Sequence, residues 1–172
     1  MWKFTDLENH SCLILGGLNT GKTSLTQALL NEAEALGRSI AVIDMAPNKK
    51  TGVGGKLVCY CDNNCDYYTT EIATPRLSGK TPEEVINLAE LNKQRIDSLL
   101  EKYTPRDVLF INDVSIYLQR GDVKKVVSIM SLSKTCIING YFGTRLGNDL
   151  FSQEERTKMK ELQSHCDRII WR

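Results

Sequence analysis

Ser11-Cys12-Leu13-Ile14-Leu15-Gly16-Gly17-Leu18-Asn19-Thr20-Gly21-Lys22-Thr23-Ser24 decides the fold class of this chain. Cys12 to Leu15 is apolar at four consecutive positions, the pattern of a strand covered on both faces, and parallel strands of α/β proteins are of that kind. Two glycines and a polar turn follow. From Thr23 to about Leu36 the apolar residues Leu25, Ala28, Leu29 and Leu36 suit a helix, and Gly37 is a natural stop. The stretch therefore reads as strand, tight glycine turn, helix.

Outward from it the same alternation repeats. Ile40–Ile43, Val108–Ile111, Cys136–Ile138 and Arg168–Trp171 are further short apolar runs. Thr81-Pro82-Glu83-Glu84 supplies a hydroxyl cap, a proline at the first helical position and a carboxylate three residues after the cap. Val85, Leu88, Ala89, Ile96, Leu99, Leu100 and Tyr103 then recur at helical spacing up to Pro105. Asp122 to about Ser131 predicts a shorter helix, and Ser152-Gln153-Glu154-Glu155 a capping box opening a last one through Leu162. Such alternation predicts a three-layer α/β sandwich, a mostly parallel sheet of about five strands, in one domain over 1–172. The stretch 47–80 breaks the rhythm. Leu57–Cys61 and Asp66–Ile72 are expected to form an inserted hairpin turning at Asp62-Asn63-Asn64.

The chain has 172 residues, 41% apolar and 25% charged, the composition of a soluble globular protein rather than a disordered or membrane-embedded one. Lys plus Arg is 22 and Asp plus Glu 21, so the net charge of +1 does not support charge-driven nucleic-acid binding. No apolar run approaches a membrane span, and Met1 to Asp6 lacks the pattern of a signal peptide, so a cytoplasmic, reducing setting is expected. A disulfide framework is not expected at this size and cysteine density.

Gly16 to Thr23 matches G-x-x-x-x-G-K-[ST] in full, between a strand and a helix as that motif requires. Glycines let backbone N–H groups curl around a phosphate, and the helix N-terminus adds partial positive charge. Gly16, Gly17, Leu18, Asn19, Thr20 and Gly21 would form the cradle. Lys22 would reach the β- and γ-phosphates, Thr23 would ligate Mg²⁺, and Ser24 would bond the α-phosphate. By these residues the chain resembles the P-loop NTPase superfamily. The resemblance implies a nucleoside triphosphate, ATP in preference, with Mg²⁺, at the carboxyl ends of the strands; it does not fix the reaction.

A magnesium-bound nucleotide also needs a carboxylate at that rim. Val108-Leu109-Phe110-Ile111-Asn112-Asp113 looks like the acidic strand of that superfamily, and Ala41-Val42-Ile43-Asp44 offers a rival. Asp44 and Asp113 both stand as catalytic or metal-side candidates beside Lys22. A guanine-reading Asn-Lys-x-Asp is missing at Ile138-Asn139-Gly140-Tyr141, the extra lysine of partitioning ATPases would fall at Gly17, and no glutamate follows Asp113. Val42-Ile43-Asp44-Met45-Ala46-Pro47, Thr74-Pro75-Arg76 and Phe110-Ile111-Asn112 also resemble, in order and spacing, RNA 5′-hydroxyl polynucleotide kinases. Ala46 and Asn48-Lys49 depart from that pattern. This likeness implies that Asp44 is the metal-side carboxylate and that 47–80 faces a substrate.

Gly52-Val53-Gly54-Gly55-Lys56 reads as a solvated loop, with a second anion loop as the alternative. Glu71, Thr74 and Arg76 lie at the end of an expected strand, where loops of such a fold meet ligands. Arg145, in the turn-rich stretch Gly143-Thr144-Arg145-Leu146-Gly147, reads as an exposed arginine, with a lid arginine closing on phosphates as the alternative. Cys59, Cys61 and Cys65 offer three thiols, with His10 and His165 remote in sequence, so a fourth zinc ligand is missing and a metal-free tip is expected. The sequence thus predicts hydrolysis or kinase-like transfer of a γ-phosphoryl group to an unknown acceptor. The alternative is a nucleotide-gated module whose 47–80 and 143–152 loops engage a partner protein.

Overall fold

The computed structural model describes residues 1–48, 55–60 and 63–172. Its strands are β1 (Ser11–Gly16), β2 (Ile40–Asp44), β3 (Cys65–Thr69), β4 (Val108–Asn112), β5 (Thr135–Tyr141) and β6 (Arg168–Trp171). Its helices are α1 (Lys22–Ala35), α2 (Pro75–Ser78), α3 (Pro82–Leu100), α4 (Val114–Leu118), α5 (Val123–Met130) and α6 (Leu150–Gln163). The strands form one sheet in the order β3-β2-β4-β5-β1-β6, and every pairing is parallel.

Alternation along each strand divides the core in two. Leu13, Leu15, Ala41, Ile43, Leu109, Ile111 and Ile138 face α3 to α6, while Cys12, Ile14, Ile40, Val42, Phe110 and Ile137 face α1 and the Phe4–Asp6 turn. The direction of travel explains the division. A right-handed crossover places its connection on opposite faces for opposite directions. From β1 the chain moves one way to β2 and β3, and then back through β4 and β5 to β6. The first moves carry α1, Leu57 and Cys59 onto one face; the return carries α3 to α6 onto the other.

The five expected strands are all present, and the sheet gains a sixth. β3 comes from the second arm of the expected hairpin, Asp66–Ile72, but it runs parallel to β2. Residues 57–60 form no strand; Asp44 Oδ2 accepts from the Leu57 N–H at 2.6 Å. Cys61, Asp62 and residues 49–54 lie outside the described residues, so of the expected turn only Asn63 and Asn64 are described. The hairpin is thus corrected to a crossover. Tyr67 and Tyr68 face opposite cores, so both rings find cover that a solvent-exposed hairpin would lack.

Thr81 caps α3, its hydroxyl accepting from the Glu84 N–H at 3.2 Å. The last helix starts earlier than expected. Asp149, not Ser152, is the cap, and its carboxylate accepts the Ser152 N–H at 2.8 Å. Cys59 and Cys65 are joined as a disulfide, where the sequence led to no disulfide framework. No helix among the described residues is long and apolar enough to cross a membrane.

Candidate functional site

The Gly16–Thr23 turn sits where β1 meets α1. Gly16 has no room for a side chain: a Cβ there would lie 2.3 Å from the Arg172 carbonyl oxygen and 2.7 Å from Thr20 Oγ1. Gly21 caps α1 at φ 85°, in the left-handed region that glycine enters without a Cβ penalty. Asn19 shares that region at φ 55°. The Thr20 hydroxyl donates to the Gly17 carbonyl at 3.2 Å, and the Lys22 ammonium folds back to the same carbonyl. Burial holds the Lys22 ammonium below its ordinary pKa, with Asp113 pulling it back up.

Residues 18–24 form one wall of a cavity of about 590 Å³. Asp113 and Ser115 form its floor. Asp113 follows β4 and caps α4 in a left-handed conformation at φ 57°. Its N–H donates to Asn139 Oδ1 at 2.8 Å, and the Ser115 hydroxyl donates to its Oδ1 at 2.9 Å. Burial pushes the Asp113 carboxyl above the usual range, opposed by the Ser115 bond and by the charges of Lys22 and Arg76.

Asp44 is placed differently. It ends β2, three strand positions from β1, or roughly 14 Å at the usual spacing. Asp113 follows a strand only two positions away. The Asp44 side chain is wholly buried and does not line the cavity. Oδ1 accepts from the Ala46 N–H and from Asn112 Nδ2, each at 3.0 Å; Oδ2 accepts from the Leu57 N–H at 2.6 Å and the Tyr67 hydroxyl at 2.7 Å. Asp44 is committed to the fold, and in this arrangement it has no lone pair left for a metal-bound group.

Those bonds belong to a buried line of polar groups beneath the cavity. Asn139 Nδ2 donates to Thr26 Oγ1 and to Asn112 Oδ1, both at 2.8 Å, and Asn112 passes the line on to Asp44 and the Gly55 carbonyl. It runs from α1 across β5, β4 and β2 to Tyr67 of β3. Satisfied on both sides, such a network fixes the strand ends rigidly.

The far wall was not foreseen as a unit. Arg76 of α2 pairs with Glu155 of α6 through Nη2 and Oε1 at 3.2 Å, donates to Ser152 Oγ at 3.2 Å, and lies 5.2 Å over the Phe151 ring. Gln119, at the end of α4, completes the wall. Glu155 is 1% exposed and Gln119 2%. Among the described residues, Arg76 Nε, Gln119 Oε1 and Glu155 Oε2 are buried without a hydrogen-bond partner in the protein. Burial raises the Glu155 carboxyl above its ordinary pKa, with Arg76 and Gln119 opposing. The sequence points to Arg76, whereas Glu155 reads only as part of a helix start and Gln119 falls in a stretch with no assigned element.

Of the remaining candidates, Lys56 lines the cavity and is tied to the Ala46 carbonyl at 2.9 Å and to Thr69 Oγ1. Arg145 is exposed and outside the cavity lining, which Leu146 joins instead. Lys49, Lys50 and 52–54 lie outside the described residues.

No family model matches the chain, and no curated protein does. Among solved structures it is similar to the Hef helicase domain of Pyrococcus furiosus, at 11% identity and TM-score 0.46, over 98% of this chain and 36% of that one. A structure from Pyrococcus horikoshii OT3 is similar at 8% identity and TM-score 0.45, over 98% of this chain and 85% of that one. The chain thus spans about a third of the helicase-domain structure.

Proposed function

We propose that this chain binds a nucleoside triphosphate, ATP in preference, with Mg²⁺, and cleaves or transfers its γ-phosphoryl group. The observation that carries the reading is the pairing, across one cavity, of the Gly16–Thr23 loop and Lys22 with the half-buried Asp113. Loop N–H groups at a helix N-terminus suit an anion, and Lys22 adds a charge to it. Asp113 fits a magnesium site, because the desolvation that raises its pKa is what a nearby dication would offset. Thr23, in the first turn of α1, would supply a hydroxyl to the same ion. The bound metal would neutralise developing phosphate charge.

Glu155 is the proton acceptor in this reading. Its Oε2 has no protein partner, it lines the same cavity, and Arg76 holds its other oxygen. A carboxylate of raised pKa is suited to accept a proton from water or a hydroxyl acceptor.

Calorimetry with ATP and Mg²⁺ tests the binding step. Lys22→Ala should lose roughly 1.5–3 kcal/mol of affinity, the worth of a hydrogen bond to a charged group. Wild-type affinity in that variant overturns the reading. Glu155→Gln should keep nucleotide affinity while phosphate release falls by about 10²–10⁴-fold.

A further inference from the structure

We propose that Glu34, Cys59 and Cys65, in the reduced protein, form a binding site for a thiophilic divalent cation of the zinc class. The sequence counted three thiols and no fourth ligand; the fold brings a carboxylate from 25 residues before Cys59 into the group. One ligand atom from each of Glu34, Cys59 and Cys65 lies within 4.8 Å of the others. In a tetrahedral zinc site, bonds of about 2.0–2.3 Å put neighbouring ligand atoms roughly 3.5–3.8 Å apart, which this span accommodates. Three protein ligands leave the fourth position for water.

The surroundings hold the group together from the α1 side. Gln27 Nε2 donates to the Val58 carbonyl at 2.9 Å and Gln27 Oε1 accepts the Val58 N–H at 2.8 Å. Two turns along the same helix, Glu34 Oε1 accepts the Tyr60 N–H at 2.8 Å. α1 thus grips the chain on both sides of Cys59, and the Tyr60 N–H orients the Glu34 carboxylate, as backbone groups orient metal ligands in known sites. Glu34 and Cys65 are each 8% exposed, so desolvation strengthens the attraction of two thiolates and a carboxylate for a cation. Thiolate sulfur selects zinc-class metals over magnesium or calcium. Among the described residues the other free thiols are unsuited: burial pushes Cys12 and Cys166 up to about 12 and Cys136 well above its ordinary value.

Metal and disulfide exclude one another at this site, because both use the same two sulfurs. Reduction by dithiothreitol places two electrons and two protons on Cys59 and Cys65 while the reagent closes to its own disulfide. Metal binding then releases the two thiol protons.

The test uses the full chain in both redox states, titrated with Co²⁺ after excess reductant has been removed. Reduced wild type should bind one equivalent and show the thiolate-to-cobalt charge-transfer band in the near ultraviolet. Oxidised wild type should show neither, a comparison that needs no variant to fold. Glu34→Gln should keep the band but weaken binding by at least about tenfold, since even partners of metal ligands contribute that much. Cys59→Ser should lose roughly half of the band. No saturable uptake by the reduced protein overturns the proposal. So does equal uptake by the oxidised protein, or affinity unchanged in Glu34→Gln.

Discussion

Asp44 and Asp113 are both carboxylates at the carboxyl ends of strands, and their surroundings give them opposite fates. Asp44 accepts four hydrogen bonds, so an amide in its place would turn an NH₂ toward two donors. Asp44→Asn should therefore destabilise the fold by about 2–4 kcal/mol, read from urea unfolding. Asp113 has the reverse problem, since burial raises its pKa in the folded state. A carboxyl with a raised folded pKa contributes stability at low pH and loses it as pH rises from the ordinary carboxylate range through the raised value. Asp113→Asn should remove that loss. The stability difference, variant minus wild type, should grow from about pH 4 toward neutrality. A flat difference would show that the carboxyl is not strained by burial.

Among the elements, α6 shows how a cap works through both geometry and charge. The Asp149 carboxylate is held below its ordinary pKa by the Ser152 N–H it accepts. That contribution is present above the unfolded pKa and fades as pH falls through the folded one. Asp149→Ala should cost about 1 kcal/mol at neutral pH, and less in acid. Ser152 instead meets Arg76, so the α6 start also braces the far wall of the cavity. Thermal unfolding at two pH values separates these roles. α2 and α4, of four and five residues, carry too little periodicity to be read in advance, yet they deliver Arg76, Ser115 and Gln119.

Across the whole molecule, the polar line from Thr26 to Tyr67 ties four strands and α1 beneath the cavity. β1, β5, β4 and β2 each have two parallel neighbours, whereas β3 and β6 are edges. Amide exchange should follow that order. Protection in β1, β4 and β5 should approach the global unfolding free energy, and β3 and β6 should open earlier. Asn139→Ala, by breaking three bonds of the line, should lower protection in β4 and β5 together. If only its own neighbours lost protection, the line would not act as one unit.

The sequence by itself determined the five apolar strands, the helices after Gly21 and Thr81, the glycine turn and the layered α/β class. Each rests on short-range physics: periodicity, capping, and glycine at a position that a Cβ could not occupy. Only the tertiary structure settled which strands are neighbours, and strand order gave the two carboxylates different surroundings. Asp44 and Asp113 read alike because each simply follows an apolar run. Only the insertion of β5 and β4 between β1 and β2 sets one far from the Gly16–Thr23 loop and brings the other beside Lys22. The sixth strand differs from its sequence reading for a related reason: a hairpin arm and a parallel edge strand share the same local pattern, and only pairing with β2, remote in sequence, separates them. Glu155 and Glu34 were illegible because nothing in a helical pattern tells an exposed glutamate from one that packing has buried against distant partners.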